Sequence, residues 1–331
     1  MSRLPRLTVV TVGLVSLLAG CAPALPQPTP PPAPAVAPAA VTPGQSSRVL
    51  EDLGTVLAAA DKKLDDKLLA PRVQEPALEM RSAEYVRAKA TDGKREPTAL
   101  PTTSQATIVP RTEAWPRTQL VVTDQPADLQ AQRILVLKQD GPRDQYMLWG
   151  WSRLLPGVQM PQTARPEIGS PVVAPDSDAL LVSPQDAIAQ YADVLTKDTK
   201  SKYDDDFADN ASRDEINDLR KRNEKAVKGS GKYEETYTAE DEPVVSLGTI
   251  DGGAIVVGQL TSLAKTTLTL DGAKVPISDP FYRALSGKKT ANKSFLRTST
   301  DILVLYVPPA GSDAPMSVLA FESVITDAKA S

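Results

Sequence analysis

The sequence predicts an α+β protein built as two successive halves, and three observations predict it. Helix signals come in pairs, one pair in each half. Each pair is followed by runs with the two-residue period of strands. Near the end of each set of strands stands the same tetrapeptide, Ile134-Leu135-Val136-Leu137 and Ile302-Leu303-Val304-Leu305, 168 residues apart. The initial helices are offset by only 137 residues, so the second half carries about 30 extra residues, placed most simply at 258–294.

Each element has a local reason. Ser46 or Ser47 can cap a first helix, in which Val49, Leu53, Val56, Leu57, Ala60, Leu64 and Leu68 recur at three- and four-residue spacing until Pro71 ends it. A second helix runs from Pro76 to Ala90 and stops near Gly93. Strands follow at Ala106–Val109, Gln119–Thr123, Gln132–Lys138 and Gln145–Leu155, the last two joined by the Gln139–Arg143 hairpin. Five prolines in 156–182 read as an interdomain linker. Ser183-Pro184-Gln185-Asp186 then combines a cap, a first-turn proline and an early acid, and Ile188, Tyr191 and Leu195 form the apolar stripe. Ser212-Arg213-Asp214-Glu215 reads as a capping box for a helix that stops at Gly229. Five strands complete the half: Tyr233–Ala239, Val244–Leu247, Ala254–Leu270 with a bend expected at Gly258, Phe295–Val307 and Met316–Thr326.

The N-terminus predicts where the chain resides. Arg3 and Arg6 precede a short apolar run, Leu7 to Leu18, which is the pattern of an export signal and too short for a stable span. Leu18-Ala19-Gly20-Cys21 resembles the bacterial lipobox, and Cys21 is the only cysteine in the chain. That resemblance implies a diacylglyceryl group on the Cys21 thiol and cleavage before it. Two acyl chains hold a protein stably on a membrane where one does so marginally. The expected location is the extracytoplasmic face of the cell membrane, lipid-anchored. In 22–44 nine of 23 residues are proline and none is charged, so no helix or strand is expected and the segment reads as an extended tether. The predicted organisation is a signal peptide at 1–20, acylated Cys21 and tether at 21–45, a first domain at 46–160, a linker at 161–182 and a second domain at 183–328.

Composition removes whole reaction classes. With no histidine, Ser-His-acid triads, Cys-His dyads and histidine-ligated metals are excluded. One cysteine excludes intrachain disulfides and cysteine-based metal clusters. Loss of residues 1–20 would leave 35 basic against 41 acidic side chains, a net charge of −6, which argues against a nucleic-acid partner. No metal and no cofactor are expected.

Four constellations bear on chemistry. Asp204, Asp205, Asp206 and Asp209 lack the alternating spacing of a calcium loop and read as a solvated acidic turn. Ser262–Lys265 and Ser286–Lys289 match S-x-x-K, but the first falls in a strand and the second in a Gly-Lys loop. Met147, Trp149, Trp151 and Arg153 alternate along one strand and are expected to share a face, where Trp149 and Trp151 either stack on a ligand or, the favoured reading, fill the core under the first helix. Glu322, the only charge in Val318–Ile325, is the one acid singled out for a buried catalytic role, against the blander reading of a solvent-facing or paired carboxylate.

Two helices followed by a curved antiparallel sheet is an element order that resembles cystatin-like and NTF2-like folds, in which a helix packs in the concave face. With its lipobox and proline tether the whole chain also resembles uncharacterised lipoproteins common in actinobacteria, which carry no activity to transfer. The expectation is therefore a non-catalytic binding or scaffold module of the cell envelope, meeting an envelope protein or a small ligand. A small-ligand carrier with a cone-shaped cavity is the alternative, and an NTF2-like enzyme with a buried carboxylate ranks third.

Overall fold

The computed structural model describes residues 36–126, 130–241 and 245–331, and residues 36–331 form one compact unit. Cys21 and the predicted signal peptide lie outside the described residues, as does most of the tether. Among the described residues no helix is long and apolar enough to cross a membrane. The described residues are α+β, with five α-helices and a nine-stranded antiparallel sheet.

Helix α1 spans Pro43–Lys63, because Thr42 and Gln45 form a reciprocal capping box and Pro43 takes the first turn. Its cap therefore stands four residues ahead of the expected Ser46. The preceding residues are docked on the sheet: Val41 is buried and Ala40 donates to the Pro110 carbonyl at 2.8 Å. The tether prediction thus fails for this last stretch. The helix also stops early. Leu64 turns left-handed at φ 51, and Asp65 caps a separate single turn, Asp66–Leu68. Helix α2 spans Ala77–Ala90, as its sequence predicts.

Four strands follow: β1 Ser104–Ile108, β2 Arg117–Thr123, β3 Arg133–Gln139 and β4 Met147–Leu154. Helix α3 spans Pro184–Lys197, with Ser183 accepting from the Asp186 amide. Helix α4 spans Ala211–Val227 and is capped by Asn210, whose side chain accepts from the Arg213 amide at 3.0 Å. The Ser212 hydroxyl donates to that same Asn210 oxygen instead of capping. Then come β5 Gly231–Ala239, β6 Val245–Gly248, β7 Ala254–Leu268, β8 Ser294–Val307 and β9 Ser317–Ala330. The extra residues of the second half hold a helix the sequence reading missed, α5 Pro280–Ser286. Asp279 caps it and Gly287 ends it at φ 64. At seven residues it is too short to show a helical period.

The sheet order is β1-β2-β3-β4-β9-β8-β7-β5, with β6 also paired to β7. It comprises two meanders whose strands pair with one another at Leu154–Ala320 and Arg153–Phe321. The repeated tetrapeptides occupy the third strand of each meander: β3 lies between β2 and β4, and β8 lies between β7 and β9.

The sheet folds back on itself. Gly150 pairs with Val136, and a Cβ there would stand 3.2 Å from Ile302 of the other meander. The Ser152 hydroxyl donates to the Ile302 carbonyl at 3.0 Å. The opposite face of the first meander carries the helices: Ser46 of α1 bonds Gln119, which pairs with Leu137. In the second meander Leu303 and Leu305 pack with α3 residues Ile188, Tyr191 and Leu195. In each tetrapeptide the Ile and Val thus face the other meander and both Leu residues face helices. Gly258 is needed for this packing, since a Cβ there would stand 2.8 Å from Ile188. The expected bend at Gly258 is not seen in the register, for pairing to β8 runs unbroken from Ala254 to Thr267.

The expected linker is stitched to the fold. Ser170–Pro171 pairs in parallel with Pro110–Arg111, Val172 bridges Leu247, and Leu180 bridges Pro309. Its prolines limit it to short pairings, as their missing N–H groups require.

Candidate functional site

The tryptophans do not form a platform. A bulge interrupts the β3–β4 ladder, where Leu137 pairs with Leu148 but Val136 pairs with Gly150. Trp149 is the extra residue, so the alternation expected from Met147 to Arg153 is broken. Trp151 is fully buried, with the Arg81 guanidinium of α2 at 6.0 Å from its ring, and Trp149 is half-buried. Trp151 is core, sharing its cluster with Leu50, Leu53 and Leu57 of α1.

The acidic turn is tied down by Arg213, which bonds Asp204 and also Asp198 at 2.8 Å. No group of acids that could hold a metal ion is found among the described residues. Ser262 and Lys265 are three apart on β7 and so point to opposite faces. Ser286 closes α5, and its hydroxyl donates to the Tyr282 carbonyl.

Glu322 lies on the β9 face opposite Phe321 and Ser323, paired with Ile302. Burial pushes its carboxyl up to about 7, with Arg133, Arg153 and Arg87 opposing and Glu84 reinforcing the shift. It is half-buried, its Oε2 has no hydrogen-bond partner among the described residues, and it lines the cavity described next.

The outer face of the second meander holds a more telling site. A cavity of about 290 Å³ lies between α4 and strands β5, β7, β8 and β9. Alternation places Ser299, Asp301 and Leu303 of β8 on this face, and cross-strand pairing sets their neighbours. Ser299 pairs with Ser262, and Ser262 with Tyr237. Asp301 pairs with Ser323 on one side and Leu260 on the other. Below them Leu303 pairs with Phe321, which pairs with Arg153. Helix α4 supplies Ile216 and Leu219 as the facing wall.

Asp301 is 0 % exposed, and neither of its carboxylate oxygens has a hydrogen-bond partner among the described residues. Burial pushes its carboxyl up to about 7; the Ser323 and Ser262 hydroxyls, short of full hydrogen-bond geometry, oppose the shift, and Glu235 adds to it. Tyr237 donates to Glu235 at 3.1 Å, and burial followed by the charges of Glu235 and Asp301 raises its own pKa. Glu235 stands 3.4 Å from Arg220 of α4. At the rim Arg153 and Glu215 approach to 3.9 Å.

Asp301 escaped the sequence reading because it opens a run, Ile302–Val307, that is otherwise apolar. Its signal was its parity: Asp301, Leu303 and Leu305 share a face, so an acid stands on the stripe that packs against helices. An unpaired acid in such a place departs from ordinary burial.

Comparison with known proteins adds one family. The model of DUF8094, described as a domain of unknown function, matches residues 37–330. No curated protein matches the chain, and no solved structure does.

Proposed function

The chain belongs to the DUF8094 family, and from that premise we propose that it is a lipid-anchored binding protein of the cell envelope that holds a small ligand in the cavity beneath α4. The observation that carries this reading is the cavity itself, in which Ile216, Leu219, Phe321 and Ile325 face the same space as Ser262, Ser299, Glu235 and Glu322. Polar groups converging on a concave recess with an apolar wall are the usual make-up of a small-molecule site. A pure scaffold would have no use for such a recess, so of the two non-catalytic readings the carrier is favoured. Ala264→Trp, projecting an indole from the floor of the cavity, is the test. A set of small fragments screened by ligand-observed NMR should give binders to the native protein that the filled variant loses. A screen with no binders would count against the site.

Anchoring at Cys21 supports a place on the extracytoplasmic face. Cys21→Ser should shift the protein from the membrane fraction to soluble or unprocessed forms; unchanged fractionation would reject the lipobox reading.

The two meanders read as duplicated modules resembling cystatin-like and NTF2-like folds. What supports this is the shared tetrapeptide in the third strand of each, with the same residues facing helices. A second functional reading, acid–base catalysis by Glu322, is favoured by its place on the cavity lining and by a carboxyl that burial pushes up to about 7, where a general base is most effective.

A further inference from the structure

We propose that a second groove, between the start of α1 and one end of the first meander, binds a phosphate group, as the free ion or as a phosphate monoester. The groove shares no lining residue with the cavity beneath α4, so ligand binding at either place is independent of the other.

One cross-strand row and one helix face build the site. Arg117 of β2 pairs with Gln139 of β3, and Tyr146 stands one residue before Met147, the partner of Lys138. Arg117 shares the parity of Gln119, which bonds Ser46, so the row faces α1. Arg48 and Asp52, one turn apart on α1, and Arg72 beyond them complete a groove of about 390 Å³. Three arginines and a single acid line it, in a chain whose net charge is −4. The acid is already engaged: Asp52 bonds Arg72, which also donates to Gln145 at 2.9 Å. Arg48 is exposed, and neither it nor Arg117 has an ion-pair partner among the described residues. Arg117 donates to the Ala40 and Glu113 carbonyls at 3.3 Å and to the Ala114 carbonyl at 3.4 Å, and lies over the exposed Trp115 ring at 3.9 Å.

A third donor points to a ligand. Tyr146 is 8 % exposed and lines the groove, yet its hydroxyl has no hydrogen-bond partner among the described residues, an uncommon state for a buried polar atom. Burial pushes that hydroxyl up to about 12, so it keeps its proton to donate, and the charge of Arg117 opposes the shift. Two unmatched guanidiniums and a phenol ask for an acceptor with two negative charges and three oxygens. A phosphate group supplies both near neutral pH, where its second proton has left. A carboxylate supplies one charge and two oxygens, and a cation would meet like charge. Guanidinium forks match phosphate oxygens in pairs. Trp115 at the rim offers its ring to an organic group carried on the phosphate.

Inorganic phosphate, phenyl phosphate and acetate, titrated calorimetrically at pH 8 into the native protein and three variants, test the site. Both phosphates should bind native protein roughly tenfold or more tighter than acetate, the worth of one further hydrogen bond to a charged group. Phenyl phosphate as the tighter of the two identifies an ester as the ligand, and inorganic phosphate identifies the free ion; either result supports the groove. Arg48→Glu, a change at an exposed position, should abolish phosphate binding. Tyr146→Phe keeps the buried ring and should weaken phosphate by roughly tenfold. Lys225→Glu, on α4 and outside the groove, should leave it unchanged. Acetate as tight as phosphate, no saturable binding of either phosphate, or phosphate binding indifferent to Arg48→Glu or to Tyr146→Phe would overturn the proposal. Equal losses from Arg48→Glu and Lys225→Glu would do so too, since they would reduce the effect to general surface charge.

Discussion

Arg81→Ala should lower the stability of the fold by about 3 kcal/mol, near the lower end of what removing one partner from a buried ion pair costs. Arg81 is 2 % exposed and bonds Asp61 at 2.6 Å and Glu84 at 2.8 Å. It also donates to the Thr98 carbonyl, tying α1, α2 and the following loop together. Glu84 is itself buried, so removing the guanidinium leaves a carboxylate in the interior. The cost stays near the lower end because Glu84 keeps Arg87 at 3.0 Å and the Thr98 amide at 3.2 Å. Arg81→Lys should recover only part of the loss, since an ammonium cannot serve two carboxylates with a planar fork. Urea denaturation of the three proteins checks this; a loss under about 1 kcal/mol would mean that the network is no stronger than a surface pair.

Asp301→Asn should do the opposite, and its effect should depend on pH. The folded carboxyl titrates near 7, against about 3.9 in an unfolded chain. Below about pH 4 both states hold the proton and the residue costs nothing. Between about pH 4 and 7 the unfolded chain releases its proton while the folded protein retains it or buries a charge, so stability falls as pH rises. Above about 7 the penalty levels off, with an upper bound on the order of 4 kcal/mol from a shift of about three units. The asparagine variant should therefore be more stable than the native protein at pH 8 by up to that amount, with the advantage fading towards pH 4. Glu322 contributes a slope of the same sign to both proteins, so the difference between them isolates Asp301. Equal stabilities at every pH would show that Asp301 is solvated.

Much of the secondary structure was legible because its causes are local. Ser183-Pro184 starts α3 through one side-chain cap and one fixed φ, and both lie within four residues. The strands announced themselves by alternation, and their bounds fall within a few residues of those expected. Where local signals competed, the reading slipped. Thr42-Pro43 outranked Ser46 as a start because its capping box closes reciprocally, and Asn210 outranked Ser212 because its oxygen reaches the Arg213 amide first. Helix α5 has a cap and a stop but too few residues for a period.

Most of the elements, their order and the lack of histidine and disulfide chemistry were legible in the sequence alone. Each of those follows from composition or from contacts a few residues long. The tertiary structure decided the rest. Two residue pairs, Leu154–Ala320 and Arg153–Phe321, merge the halves into one folded sheet. A single extra residue in β4 separates Trp149 from the parity of its neighbours. Asp301 became buried, and the cavity beside it formed, only when β7 and β9 were laid on either side and α4 across the face. Burial and unmatched charge depend on groups tens of residues away, and no spacing along the chain encodes them.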